Sequence, residues 1–349
     1  MSRNTALDNI MLRPSDAWAH TEYSLEYHIS YCRALTGKDP STPEGNRALN
    51  DALGFDFIWR TQDGMQDDWL AHGRATDMGH AEYAEAGADR REPVESPFHS
   101  VEEVWAFDPV AEYGMPSFDE QVAAYEELDR KARRDFPRQL TTGGYYKTIV
   151  SGAIQAFGWD MFLQAAADPV KMEKVFDRFF QRTLFHMRAW ASTSAEVVIQ
   201  HDDFVWTSGA FMHPDIYRKA IIPRYAELWK PLHAAGKKVL FCSDGNFTEF
   251  AMDIAEAGAD GLVFEPCNDF GFMVERFGAS HCLVGSCVDC RDLTFGLWEK
   301  VKQDIDHTLK LLARCRGAIL CVGNHLPANI SEQMLRRYMA ELRPRLQRA

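Results

Sequence analysis

The chain has 349 residues, with 46% hydrophobic and 26% charged content and a formal net charge of -13. Such a chain can bury a large core without disulfides, and its charge gives no attraction for a phosphate backbone, so no nucleic-acid partner is expected. Met1-Ser2-Arg3-Asn4-Thr5 leads into no apolar signal region and no apolar run approaches the roughly 20 residues that cross a bilayer, so no membrane partner and a cytoplasmic location are expected.

Residues 1–50 read as an N-terminal helical extension, with a loop from Pro40 to Gly45, and residues 51–349 as the catalytic domain. Three strands are predicted in the first half, at Phe55 to Arg60, Glu103 to Phe107 and Gln139 to Tyr145. Ile149 to Thr193 predicts two or three helices, broken near Gly158 and at Asp168-Pro169.

Five apolar runs follow, each ending in chemically capable residues. They are Val197 to Gln200 into His201-Asp202-Asp203, Val239 to Phe241 into Cys242-Ser243-Asp244, Gly261 to Phe264 into Glu265-Pro266-Cys267, Cys282 to Gly285 into Ser286-Cys287-Val288-Asp289-Cys290, and Ala318 to Gly323 into Asn324-His325. Helices are predicted between them: His213-Pro214 opens one that stops at Gly236 and kinks at Pro223, and Trp298, Val301, Ile305, Leu309 and Leu312 mark the apolar face of another. Parallel pairing requires such crossovers, and eight predicted strands at this length fit a single-domain (β/α)8 TIM-type barrel better than an open doubly wound sheet. Its active site then lies at the carboxyl ends of the strands.

Because side chains alternate along a strand, His201 and Asp203 share one direction and Asp202 the other. Cys242 and Asp244 share the same period, a thiol and a carboxylate able to hold a divalent metal, or else a buried thiol beside a turn aspartate. Glu265 precedes Pro266 and needs a partner at that depth, which a metal, a ligand or an arginine would supply. His325 is a candidate ligand or proton carrier. Cys287-Val288-Asp289-Cys290 is a lone Cys-x-x-Cys, compatible with thiol redox chemistry or with half a zinc site, and without a second pair it decides neither. His201, Asp203, Cys242, Asp244, Glu265, Asp289 and His325 are expected to converge on one cleft.

From about Tyr145 onward the chain resembles the uroporphyrinogen decarboxylase superfamily, especially its corrinoid-dependent methyltransferase branch. The resemblance is carried by His201-Asp202-Asp203 with Ser208-Gly209, Pro214-Asp215-Ile216-Tyr217-Arg218, Ser243-Asp244-Gly245-Asn246, Gly258-Ala259-Asp260-Gly261 with Glu265-Pro266, and Gly323-Asn324-His325-Leu326-Pro327. It implies a zinc-assisted methyltransferase that moves a methyl group between a small donor, such as a methyl ether or amine, and a corrinoid (cobalamin-type) cofactor on a partner protein. Where thiol-methylating relatives use a His-x-Cys pair and a later cysteine, this chain places Cys242, Asp244 and Asn324. Asparagine is a poor replacement for a thiolate.

The expected roles are therefore His201, Asp203 and His325 in catalysis, Cys242, Asp244 and Glu265 on zinc, and Asp202, Trp206, Phe241, Asp289 and Asn324 facing substrate. A corrinoid-binding protein and a homodimer are the expected assemblies. Decarboxylation of a porphyrinogen ranks lower, because the family's Arg-Gln-Ala-Gly-Arg-Tyr segment does not occur here. A small-ligand-binding barrel without turnover is the non-enzymatic alternative, and the crowding of titratable groups on one rim argues against it.

Overall fold

The structure is a computed structural model that describes residues 2–63, 95–323 and 325–348. Its strands are β1 (Ala19–His20), β2 (Phe57–Ile58), β3 (Gln62–Asp63), β4 (Leu140–Thr141), β5 (Gly143–Tyr146), β6 (Val197–His201), β7 (Lys238–Ser243), β8 (Gly261–Phe264), β9 (Cys282–Val284) and β10 (Ala318–Leu320). They pair in the order β1-β10-β9-β8-β7-β6-β5-β3, with β2 on β4, and all of these ladders are parallel. The two edges meet: Asp56 N donates to His20 O at 3.0 Å, Thr21 Oγ1 donates to Phe57 O at 2.7 Å, and Leu140 N donates to Asp56 O at 2.8 Å. Since β2 with β3, and β4 with β5, are consecutive pieces of two longer strands, eight strand positions form one ring, the (β/α)8 arrangement.

Strand alternation divides the core in two. Inside the ring, Phe57, Val197, Ile199, Leu240, Cys242, Val263, Val284, Ile319 and Cys321 fill the lumen, and Ala6 and Ile10 of helix Arg3–Ile10 join them. That helix is tied to the amino-terminal ends of the strands, where Asn9 Oδ1 accepts from Ala318 N at 3.0 Å. The functional end is therefore the opposite one. Outside the ring, Val198, Val239, Phe241, Leu262, Phe264, Leu283 and Leu320 pack against the helices.

Two strand expectations change. Glu103 to Ala106 lies in the helix Val101–Ala106, with Phe107 as its C-cap, and there the Ser100 hydroxyl accepts from Glu103 N and Glu102 and Glu103 sit at the positive end of the helix dipole. The missing strand is β1, which lies within residues 1–50, so that segment adds a barrel strand to its helices. The helical stretch breaks at Gly158 and Asp168, giving helices Val150–Phe157, Trp159–Ala166 and Pro169–Ala191. The distortion at Pro223 takes the form of a π turn over Tyr217–Ile221, followed by helix Ile222–Ala234 with proline in its first turn.

Candidate active site

β6 ends at His201, and the chain stays extended far enough for Asp203 to follow His201 into the lumen. His201 Nε2 lies 2.9 Å from Asp203 Oδ1. The same oxygen accepts Asp244 N at 2.8 Å, and Tyr146 OH donates to Oδ2 at 2.8 Å. Burial pushes the Asp203 carboxyl up, but the His201 charge, its hydrogen bond, the Asp244 amide and the Tyr146 hydroxyl outweigh it and hold the group below the usual aspartate range. An ionised carboxylate only accepts, so Nε2 carries the proton of the His201 contact.

Asp244 leaves β7 on the lumen side. One imidazole nitrogen of His201 and one carboxylate oxygen each of Asp203 and Asp244 lie within 4.8 Å of one another. Gly245 makes the turn that brings this loop in: its φ is +83°, and a Cβ there would stand 2.6 Å from Val205 O and 2.8 Å from Trp206 O. Glu265, at the end of β8, accepts Gly245 N at 2.5 Å, so a third carboxylate joins the same loop. His325 is half-buried and forms a parallel bridge with Tyr23 past the ends of β10 and β1.

Aromatic rings continue this wall. Tyr146 stacks on His201 with centroids 4.0 Å apart at 21°, Trp59 meets the same imidazole at 5.6 Å, and Tyr23 meets Trp59 at 5.6 Å. Sequence reasoning did not single out Tyr23, Trp59 or Tyr146 as site residues. For Tyr146 a signal existed: it directly follows the predicted strand Gln139 to Tyr145, and Gly144, two residues earlier on the same face, carries no side chain.

Other expected site residues lie elsewhere. Asp202, expected at the substrate, turns outward, is fully buried, and accepts from the backbone of Ile149, Val150 and Ser151, the Ser151 hydroxyl and the Tyr225 hydroxyl. It caps helix Val150–Phe157 in place of a local side chain. Phe241, also expected at the substrate, is fully buried behind β7 against Phe204, Tyr225, Trp229 and Phe247. Asp289 caps helix Cys290–Thr294 and pairs with Arg291, whose Nη2 is 2.6 Å from Oδ2. Trp206 is exposed on the rim, against Trp159 and Phe211. Asn324 lies outside the described residues.

Cys242, expected as a metal ligand, packs in the apolar floor beneath the carboxylates. Burial first, then the charges of Asp244 and Asp203, push its thiol well above the usual range. Of the expected set Cys242, Asp244 and Glu265, the group with ligand spacing keeps Asp244 and has His201 and Asp203 in place of Cys242 and Glu265. All eight cysteines are free, and burial raises Cys287 to about 11, so a thiolate pair at Cys287 and Cys290 is disfavoured.

Residues 149–344, more than half of the chain, match the family described as Uroporphyrinogen decarboxylase (URO-D). The chain belongs to the URO-D family. No curated protein sequence matches it. Among solved structures, a methyltransferase from Methanosarcina mazei superposes with a TM-score of 0.65 at 17% identity, covering 98% of both chains. A D-psicose 3-epimerase from Clostridium cellulolyticum H10 (TM-score 0.39, 14% identity, 71% of this chain and 93% of that one) is far more distant. So is a xylose isomerase-like TIM barrel protein from Mycobacterium smegmatis (TM-score 0.33, 13% identity, 79% and 98%). The first of these likenesses shows the barrel fold for this URO-D chain. No described helix is long and apolar enough to cross a membrane.

Proposed function

We propose that this URO-D chain is a methyltransferase that moves a methyl group from a small donor, such as a methyl ether or amine, to the cobalt of a corrinoid carried by a partner protein. The observation that carries the reading is the His201–Asp203–Asp244 group at the carboxyl end of the lumen, on a barrel that a methyltransferase matches over its full length. Asp203, Asp244 and Glu265 also place three carboxylates at this end, against the Lys147 ammonium 5.0 Å from the Tyr146 ring centroid. That suits a neutral or cationic donor and repels a polycarboxylate porphyrinogen, so decarboxylation ranks second.

The residues fit a divalent ion such as zinc. An imidazole and two carboxylates are a sound donor set, and the 2.9 Å edge between His201 Nε2 and Asp203 Oδ1 approaches the roughly 3.0–3.4 Å that two ligands share around bonds of about 2.0–2.1 Å. A metal there supplies Lewis acidity toward a leaving oxygen or nitrogen. The chain's own groups do the rest. With the ion bound, His201 Nε2 would give up its proton and serve as a ligand; without it, the same N–H on the ionised Asp203 is placed to protonate the departing group, and in either case the ring wall of Tyr23, Trp59 and Tyr146 flanks the methyl-bearing end of the donor. The methyl group would pass to the reduced cobalt, whose electron pair forms the new bond, while the donor heteroatom keeps the old bonding pair: an ether oxygen or neutral amine takes a proton from water or His201, and a cationic amine leaves as the neutral amine with no proton needed. Methylation of a reduced corrinoid by purified chain, followed by absorbance with methyl ethers and methylamines as donors, tests the reading. Formation of methylated corrinoid supports it. Failure with every donor, alongside decarboxylation of a porphyrinogen, would replace it. Metal analysis tests the ion: content should fall in Asp244→Asn and persist in Cys242→Ser.

A further inference from the structure

We infer that Tyr146 is the positioning residue of the His201–Asp203–Asp244 group, holding the outer oxygen of Asp203 with its hydroxyl while its ring lies flat on the His201 imidazole. The inference rests on the proposed reading of that group as a metal centre and adds an outer layer to it.

One residue reaches both partners because of strand register. Tyr146 on β5 is the ladder partner of His201 on β6, so their side chains leave the sheet side by side into the lumen. Two residues earlier, Gly144 has the same parity and no side chain. A Cβ there would stand 2.8 Å from Ile199 O and 2.9 Å from Arg60 O, so the backbones close up beneath Tyr146. The ring contact at 4.0 Å limits rotation of the imidazole, and Trp59 restrains it from another side. Asp203 shares Oδ1 between His201 and the Asp244 amide, which leaves Oδ2 to be fixed, and the Tyr146 hydroxyl fixes it. Metal-binding histidines and carboxylates depend on such outer contacts, and losing one costs about 10–100-fold in metal affinity.

The test compares wild type, Tyr146→Phe, Tyr146→Leu and, as a control on the other strand face, Tyr145→Phe. Stripped full-length protein is titrated with zinc alone against a competing chelator, and the His201 ring nitrogens are followed by NMR without metal. Zinc affinity is expected to fall about tenfold in Tyr146→Phe and about a hundredfold in Tyr146→Leu, with Tyr145→Phe unchanged. The Nε2–H tautomer should dominate in wild type and Tyr146→Phe and mix with the other form in Tyr146→Leu. Equal zinc affinity in wild type and both Tyr146 variants would overturn the inference and leave the metal reading standing. No zinc uptake by wild type, with a scrambled tautomer in Tyr146→Leu, would sink the metal reading and keep the positioning role. If Tyr146→Leu does not fold, the affinity of Tyr146→Phe decides.

Discussion

The two faces of the β5–β6 pair carry the same residue types and put them to different uses. On the lumen face Tyr146 stacks on His201, which meets Asp203. On the shell face Tyr145 stacks on His186 at 4.3 Å, His186 Nδ1 meets Tyr125 OH at 2.7 Å, and Asp202 meets Tyr225 OH at 2.7 Å. The difference lies in what each carboxylate and imidazole still has to offer. Asp202 is spent on a helix terminus, and burial, reinforced by Arg182, drives His186 down to about 3, so it stays neutral. Asp203 keeps an imidazole beside it at the carboxyl end of the barrel. Chemistry here follows strand parity rather than residue type.

The largest expected effect breaks the lumen side. Asp203→Asn removes the charge that orients His201 and should lower corrinoid methylation by about 10²–10⁴-fold, with the unfolding midpoint near wild type. If turnover survives, the reacting pair is misassigned. Next comes the shell side. Asp202→Ala leaves three backbone N–H groups at the helix start, a serine hydroxyl and a tyrosine hydroxyl buried without their acceptor, and urea denaturation should show a loss of about 3–5 kcal/mol. A loss below 1 kcal/mol would mean that the helix terminus finds other partners.

A smaller effect is visible in pH. His186 is held neutral in the fold while an unfolded histidine titrates near 6.5, so unfolding takes up a proton below that pH. Its contribution is present above about 6.5 and is lost as pH falls toward about 3, with a slope approaching 1.4 kcal/mol per pH unit within that window. His186→Gln should flatten this part of the stability–pH curve, measured by denaturation at stepped pH. The smallest effect is expected at Cys287→Ser: a half-buried thiol that needs no ionisation here should change stability by about 0.5 kcal/mol or less and leave methylation intact. Lost methylation would revive a thiol mechanism.

Most of the barrel was legible because alternation and crossover length are local properties. Five apolar runs from Val197 to Gly323 announced β6 to β10, and Gly158 and Asp168-Pro169 announced the helix breaks. β1 was not legible: two residues carry no periodicity, and Ala19–His20 is a strand because β10 lies alongside. Glu103 was misread because a short helix held by the Ser100 cap resembles a short strand in composition.

For the site, the sequence by itself determined that His201 and Asp203 leave β6 on one face, that Cys242 and Asp244 leave β7 on one face, and that Glu265 ends the next strand, since a period of two fixes relative direction. It could not say which face meets the lumen or how deep each group lies, and closure of the ring decided both. The same alternation that sent Asp203 inward sent Asp202 to a helix terminus and Phe241 to the shell, while one step of depth put Cys242 in the apolar floor and Asp244 at the mouth. Tyr146 required the tertiary structure most, because its contact with His201 depends on the register between β5 and β6, and register across more than 50 residues of chain is set by packing.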